Sequence, residues 1–284
     1  MRRALAAACA LLLCRPTIAA AQVDCFPPDD SNEAQLFAAF SVPLAFSMIE
    51  ALDETEAGTV RVGVEGTYLP NIDEEIGTPT ICRPGKGPEN TDLLPAFPRP
   101  RVRLALPAGF SAEASWVPPI RLSGVKANLA SLSLQRSMPI GHSGTRLALR
   151  LHGTFGVIRA PITCNDEALE DESSECFQGT RSDDAYHPNI VGAEAALGWS
   201  LAGGRVRPFV GGGLNLLYPR FRVNFTNRFD QLDDSRVEVD LNRGALFGGA
   251  TWAATPSVDV SGEIYASPGD AVTGRLMVSY GLGE

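Results

Sequence analysis

One stretch of the chain, residues 146–157, reads RLALRLHGTFGV. Leu147, Leu149, Leu151 and Phe155 occupy one phase of this stretch, and polar or small residues occupy most of the other. A period of two places the two classes on opposite faces of a β-strand. The stretch therefore predicts a strand with one apolar and one polar face.

The same alternation recurs from Thr59 to the end of the chain, and it predicts ten strands, with eight or twelve as the alternatives. The 28 Gly and 21 Pro in 284 residues favour many turns over a helical bundle. In the fourth strand the apolar phase changes between Leu129 and Leu132, which predicts a β-bulge. The predicted strands are 58–69, 99–106, 110–117, 124–137, 145–158, 188–201, 205–220, 236–254, 257–266 and 273–282.

Short and long connections alternate along this series, with the longest at 70–98 and 159–187. Such an asymmetry is typical of a closed, antiparallel, up-and-down transmembrane β-barrel. The aromatic residues near predicted strand ends fit the aromatic belts of such barrels. A soluble sandwich with these aromatics in its core is the alternative. The aromatics are Tyr68, Trp116, Trp199, Tyr218, Trp252, Tyr265 and Tyr280.

Residues 1–21 have the features of a secretory signal peptide. Arg2 and Arg3 precede an apolar run from Ala4 to Cys14, and small residues stand before Gln22. We expect cleavage at that point and an oxidising compartment; a lipoprotein signal ending at Cys14 is the alternative. The net charge of −9, without a basic cluster, argues against nucleic acid as a partner.

Two short motifs resemble those of small bacterial outer-membrane β-barrel proteins. Residues 207–213, RPFVGGG, are similar to the R-P-Y/F-x-G-x-G strand of that class. The ending at 276–282, LMVSYGL, is similar to its C-terminal assembly signal, which usually ends in Phe. The resemblance covers about residues 58–284. It implies a bacterial outer-membrane location among lipid and lipopolysaccharide, with assembly by the barrel assembly machinery, and it names no activity.

The polar phase of the strands predicts a lumen lined by charged residues. A ten-stranded barrel is narrow, so we expect ion pairs that fill the lumen and close it at rest; a path for a small, unidentified solute is the alternative. The predicted lumen-lining residues, in which both signs are similarly numerous, are Arg61, Glu65, Arg101, Arg103, Glu113, Arg146, Arg150, His152, Glu194, Arg207, Glu238, Asp240, Asp259, Glu263 and Arg275.

Four cysteines follow the signal peptide. Cys164 and Cys176 lie close together in one predicted loop, so we predict a disulfide between them. By elimination, Cys25 would then pair with Cys82.

Residues 22–57 precede the first strand, and a bond between Cys25 and the external loop would carry them through the lumen. We predict a helix from Glu33 to Leu52, kinked at Pro43, that plugs the barrel. A periplasmic or membrane-surface helix with both thiols unpaired is the alternative.

The favoured function is a structural or passive-transport barrel without a cofactor or a metal. A barrel that binds a partner through loops 70–98 and 159–187 is one alternative, and a soluble periplasmic β-domain is another. A third is a hydrolase at the outer rim, as in the omptin proteases, which use Asp and His there. Asp184 and His187 are the candidate pair, although the Asp-x-His spacing of omptins is absent. The acidic stretch 164–176 is predicted to be a solvated loop rather than a cation site.

Overall fold

The computed structural model of the chain describes residues 24–51, 56–141 and 144–282. The predicted signal peptide, residues 1–21, lies outside the described residues. Within them, ten long strands run antiparallel to their neighbours, one for each predicted strand. The strands are β1 (Val60–Tyr68), β2 (Ala96–Ala105), β3 (Phe110–Val117), β4 (Val125–Ile140), β5 (Thr145–Ala160), β6 (Ile190–Gly198), β7 (Val206–Leu217), β8 (Leu241–Ala253), β9 (Val258–Ser267) and β10 (Ala271–Leu282).

The ten strands form a closed barrel. Each pairs with the next along the chain, and β10 returns to pair with β1, with Leu282 opposite Val60 and Arg275 opposite Thr67. Closure leaves no free sheet edge, which confirms the predicted fold class. Among the described residues, no helix is long and apolar enough to cross a membrane.

The pairing of β4 with its neighbours is continuous, so the predicted bulge is wrong. Residues 126–140 pair with 145–159 without a skipped residue, and Val117 lies opposite Leu129 in an equally regular register with β3. The apolar phase changes because Leu129 faces an apolar part of the lumen, whereas Leu132 is 62% exposed on the outer surface. The change in the apolar phase therefore reflects which part of the lumen each residue faces, and not a break in the strand pairing.

The outer surface of the barrel carries the apolar residues. Val64, Leu151, Ile264 and Leu276 are each more than half exposed, although they are large and apolar. A contiguous apolar exterior on a closed barrel fits lipid and not water. This exterior contradicts the alternative of a soluble sandwich.

Aromatic side chains border this apolar surface at both rims. Tyr68, Trp116 and Tyr218 lie at the rim with the long connections, and Trp199, Trp252 and Tyr280 lie at the rim with the short ones. All six are exposed. Tyr265 is the exception: it is fully buried and faces the lumen, so its predicted place in a belt is wrong.

Three connections form a cap over the rim with the long loops, here called the outer cap: residues 69–95, 161–189 and 218–240. Its short strands Asp184–His187, Arg220–Arg222 and Arg236–Glu238 extend the sheet beyond β5. A short helix, Glu74–Gly77, lies in the first of the three loops. The opposite rim has tight turns, as expected for the periplasmic side.

A helix, α1 (Asn32–Leu44), precedes the barrel strands. The Ser31 side chain caps it by accepting from the Ala34 backbone N–H at 3.2 Å. The predicted helix continued to Leu52, but the observed one ends near Pro43, which lacks an N–H and disfavours further helix. Residues 45–51 continue as an irregular segment.

Candidate functional site in the lumen

Residues 24–51, here called the luminal segment, pass from the outer cap into the barrel. At the outer end, a disulfide joins Cys25 to Cys82, and the Glu33 carboxylate accepts from the backbone N–H groups of Ile81 and Cys82, both at 2.8 Å. Burial alone would raise the pKa of Glu33, but these N–H donors outweigh it and hold the pKa below its usual value. The segment is therefore tied to the outer cap by a covalent bond and by hydrogen bonds to the Glu33 carboxylate.

The outer half of the lumen is apolar where α1 lies. The Phe37 ring packs against those of Tyr186 and Phe221, with ring centroids 5.7 Å apart in each pair. The Tyr186 hydroxyl lies 2.9 Å from the Ser41 hydroxyl, which satisfies a polar group in apolar surroundings. The helix and the outer cap thus share one core, and Leu129 of the barrel wall belongs to it as well.

Phe46 lies in a polar region of the inner half of the lumen, beside an apolar cluster around Met48. This ring is fully buried, and three guanidinium groups surround it. The guanidinium carbons of Arg101, Arg150 and Arg99 lie 4.1, 5.0 and 5.6 Å from the ring centroid. Cations over an aromatic face attract its negative charge density. We call Arg99, Arg101 and Arg150 the arginine cage.

Wall arginines also donate to backbone carbonyls of the luminal segment. Arg99 donates to the Leu44 carbonyl at 3.0 Å, and Arg101 to the Ser47 carbonyl at 2.7 Å.

Two other strands contribute arginines that donate to backbone carbonyls of the segment. Arg150 donates to the Phe46 carbonyl, and Arg275 donates to the Val42 carbonyl at 3.0 Å. These arginines stand on β2, β5 and β10, which are different walls of the barrel. A segment that is bound by strands on different sides of the barrel must lie inside the lumen.

Carboxylates of the wall complete the network. Arg101 pairs with Glu65 at 2.8 Å and with Glu113 at 2.9 Å. Arg150 also pairs with Glu194 at 2.9 Å. At the inner end, Asp259 accepts from Arg61 at 2.7 Å and from Arg207 at 2.5 Å.

All the predicted lumen-lining residues except two stand on inward positions of barrel strands. Glu238 and Asp240 are the exceptions: both bind Arg220 in the outer cap, at 2.9 and 2.8 Å, because β8 begins only at Leu241. The sequence-based prediction of lumen-lining residues omitted Arg99, although the alternation through Arg101 and Arg103 places it on the same face. Glu50 was missed as well; it pairs with Arg103 at 3.4 Å and belongs to the luminal segment, which carries no strand pattern.

The candidate hydrolase pair is engaged elsewhere. Asp184 is fully buried and accepts from the Thr163 N–H and the Ser182 hydroxyl, both at 2.7 Å, and from the Asn224 N–H at 2.8 Å. The His187 Nδ1 lies 2.9 Å from the carbonyl oxygen of Gly156. Asp184 therefore joins loops of the outer cap, which is a structural task.

The acidic loop is closed by a disulfide between Cys164 and Cys176. Glu175 points back into the outer cap and pairs with Lys86 and Arg83. In the described ranges, no group of three or more His, Cys, Asp or Glu is placed to hold a metal ion.

Arg83 is the charged centre of the outer cap, because it reaches all three of its loops. It pairs with Glu89 at 2.5 Å, with Glu175, and with Asp233 at 3.7 Å. Burial raises the pKa of Glu89 to about 7, despite the opposing charge of Arg83. This carboxyl of the cap therefore titrates near neutral pH.

The closed barrel, its apolar exterior and its two aromatic belts identify the environment of the chain. The chain is an outer-membrane β-barrel. Its place is the bacterial outer membrane, with lipid against the exterior.

No protein-family model matches the chain, and no curated protein matches it either. Solved barrels similar to it include the N-terminal β-barrel domain of Pseudomonas aeruginosa OprF, with 11% identity, a TM-score of 0.30, and 80% of this chain and 98% of that one covered. Neisserial surface protein A has 12% identity and a TM-score of 0.29, over 80% and 96% of the two chains. The outer-membrane protease OmpT from Escherichia coli has 12% identity and a TM-score of 0.40, over 79% and 94%.

Proposed function

We propose that this barrel is a passive-transport protein that is closed at rest, and that the luminal segment is its plug. A small solute crosses only when that segment leaves the lumen. The observation that carries the proposal is the set of bonds from Arg99, Arg101, Arg150 and Arg275 to backbone carbonyls of the segment.

Backbone carbonyls suit a removable plug. A hydrogen bond to a charged donor contributes about 1.5–3 kcal/mol, and the same guanidinium groups can exchange a carbonyl for water once the segment moves. The barrel itself is held by the separate ladder from β1 to β10, which closes without the segment. The segment is therefore removable without opening the wall.

The test displaces the plug in the full chain without changing its charge. Ala34 and Ala38 of α1 are fully buried, so Ala34→Trp with Ala38→Trp prevents α1 from packing against the wall. Cys25→Ser and Cys82→Ser remove the tether. We call this protein the displaced variant, and we expect it to show conductance steps in planar bilayers where the unchanged chain shows none.

A matched control carries Gln35→Trp in the same Cys25→Ser, Cys82→Ser background. Gln35 is only half-buried, so the added ring leaves α1 in place, and we expect this seated variant to stay closed. Heat-modifiable migration in gels reports whether each barrel is folded. A folded displaced variant that stays closed contradicts the proposal, as does an unchanged chain that already conducts.

A second candidate function is the binding of a partner by the outer cap. It is favoured by the hairpin formed by Phe225–Thr226 and Leu232–Asp233, whose tip exposes Phe229 and Leu232 to 67% and 60%. Phe229→Ser with Leu232→Ser should abolish adhesion of cells that display the barrel to a partner surface, with unchanged conductance. Equal adhesion by the variant would contradict this function.

A further inference from the structure

The wall of the lumen has more positive than negative side chains. Arg243, at the outer rim, forms its own pair with Asp270 at 3.1 Å. Below it, within the described residues, eight arginines and five carboxylates stand on inward strand positions. The arginines are Arg61, Arg99, Arg101, Arg103, Arg146, Arg150, Arg207 and Arg275, and the carboxylates are Glu65, Glu113, Glu194, Asp259 and Glu263.

Wall carboxylates are shared between guanidinium groups rather than matched one to one. Glu113 lies 2.9 Å from Arg101 and 3.2 Å from Arg150. Asp259 is likewise shared by Arg61 and Arg207. The wall alone therefore holds a surplus of three positive charges.

The luminal segment supplies acceptor groups that bind the wall arginines. Among its described residues, Glu50 reaches Arg103 at 3.4 Å and Arg61 at 4.0 Å, and the Phe46 ring lies inside the arginine cage. Its other acceptors are the backbone carbonyls from Val42 to Ser47. The carbonyl oxygens of the plug thus occupy positions beside the wall guanidinium groups where an anion could also bind.

We propose that the solute of this barrel is a small anion, such as an inorganic or carboxylate anion, which takes the place of the plug's carbonyls among the wall arginines. This inference rests on the proposed function and adds the solute class to it. Guanidinium groups bind carboxylate and phosphate oxygens with charge-assisted hydrogen bonds. A low-dielectric wall of one net sign concentrates the opposite ion.

The acidic groups of the outer cap do not reverse this preference. Glu89 and Glu175 are paired with Arg83, and Asp166 is solvated at the outer tip, where it meets Arg181 at 3.4 Å. Solvated charges beyond a Debye length of about 8 Å are screened. Selectivity is therefore set in the inner half of the lumen, where the surplus lies.

Reversal potentials of the displaced variant in a KCl gradient test the inference. We expect chloride to be favoured over potassium by about threefold or more. Adding Arg99→Gln and Arg101→Gln lowers the surplus from three to one and should bring the ratio close to unity. The control is Arg222→Gln, the same loss of charge on the exposed cap, which should leave the ratio unchanged.

An open but cation-selective displaced variant overturns the anion inference and leaves the proposed function standing. An open variant whose ratio is insensitive to Arg99→Gln and Arg101→Gln also overturns it. If the folded variant stays closed, the proposed function fails instead.

Discussion

Phe46 lies in the inner half of the lumen, among the guanidinium groups of the arginine cage. Its ring is fully buried and fills the arginine cage, while its own carbonyl accepts from Arg150. An apolar ring in a charged lumen excludes water from the ion pairs around it, and this strengthens them. This one side chain therefore contributes both to the packing of the luminal segment and to its electrostatic interactions with the wall.

Replacing Phe46 with Ala should destabilise the folded barrel by about 3–5 kcal/mol, as large-to-small changes in packed cores do. The loss combines the cavity with three cation–π contacts. Urea unfolding in detergent micelles measures it. Phe229→Ala is the matched control, since that ring is 67% exposed; equal stability losses in the two variants would contradict the central position of Phe46.

Glu89 makes the outer cap sensitive to pH. Its pKa in the folded protein is about 7, above its ordinary value of 4.5, because burial disfavours the carboxylate. A raised carboxyl pKa means that the folded state binds the proton more tightly than the unfolded state. Stability of the cap should therefore fall as the pH rises from 4.5 towards 7 and then level off.

Hydrogen exchange of residues 69–95 at several pH values measures this effect. The expected result is faster local opening at pH 7.5 than at pH 5 after correction for the intrinsic exchange rate. Glu89→Gln should flatten the profile, because a neutral amide does not titrate. A profile that keeps its shape in Glu89→Gln would assign the effect to another group.

At the level of elements, two disulfides act on the parts of the chain outside the barrel strands. One joins the luminal segment to the outer cap, and the other closes a single loop of the cap. The Cys25–Cys82 bond spans 57 residues and includes the whole luminal segment, whereas the Cys164–Cys176 bond spans 12. Loop-closure entropy grows with the size of the loop. The first bond therefore constrains the plug, and the second constrains one loop.

Removing the first bond should cost more than removing the second. The loop-entropy relation gives about 4 kcal/mol for Cys25→Ser with Cys82→Ser and about 3 kcal/mol for Cys164→Ser with Cys176→Ser. Protease accessibility of residues 26–44 should rise only in the first pair of substitutions. A rise of the same size in the second pair would contradict separate roles for the two bonds.

The elements also show what the sequence can and cannot predict. Alternation in β5 or β10 predicts the strand and its lipid face, because lipid and a charged lumen demand opposite chemistry. It failed at Leu129, which faces inward because α1 makes that part of the lumen apolar. Tyr265 shares the inward phase of Glu263, so its assignment to an aromatic belt, and not the alternation, was wrong. The end of α1 at Leu44 follows a local signal, Pro43, whereas the Glu50 pair depends on a contact with a distant strand, which no local pattern encodes.

At the level of the whole molecule, the lumen has an apolar outer half that fits α1 and an arginine-rich inner half that fits residues 45–51. The two halves match the two parts of one segment, and the ten strands close by pairing with one another and not with that segment. We propose that the barrel is a permanent wall around a separable plug.

Conductance of a chain lacking residues 26–50 in planar bilayers tests whether the luminal segment closes the lumen. We expect a folded, heat-modifiable barrel that shows conductance steps, whereas the unchanged chain shows none. A folded barrel with the same closed baseline would contradict it, because the wall and not the luminal segment would then close the lumen.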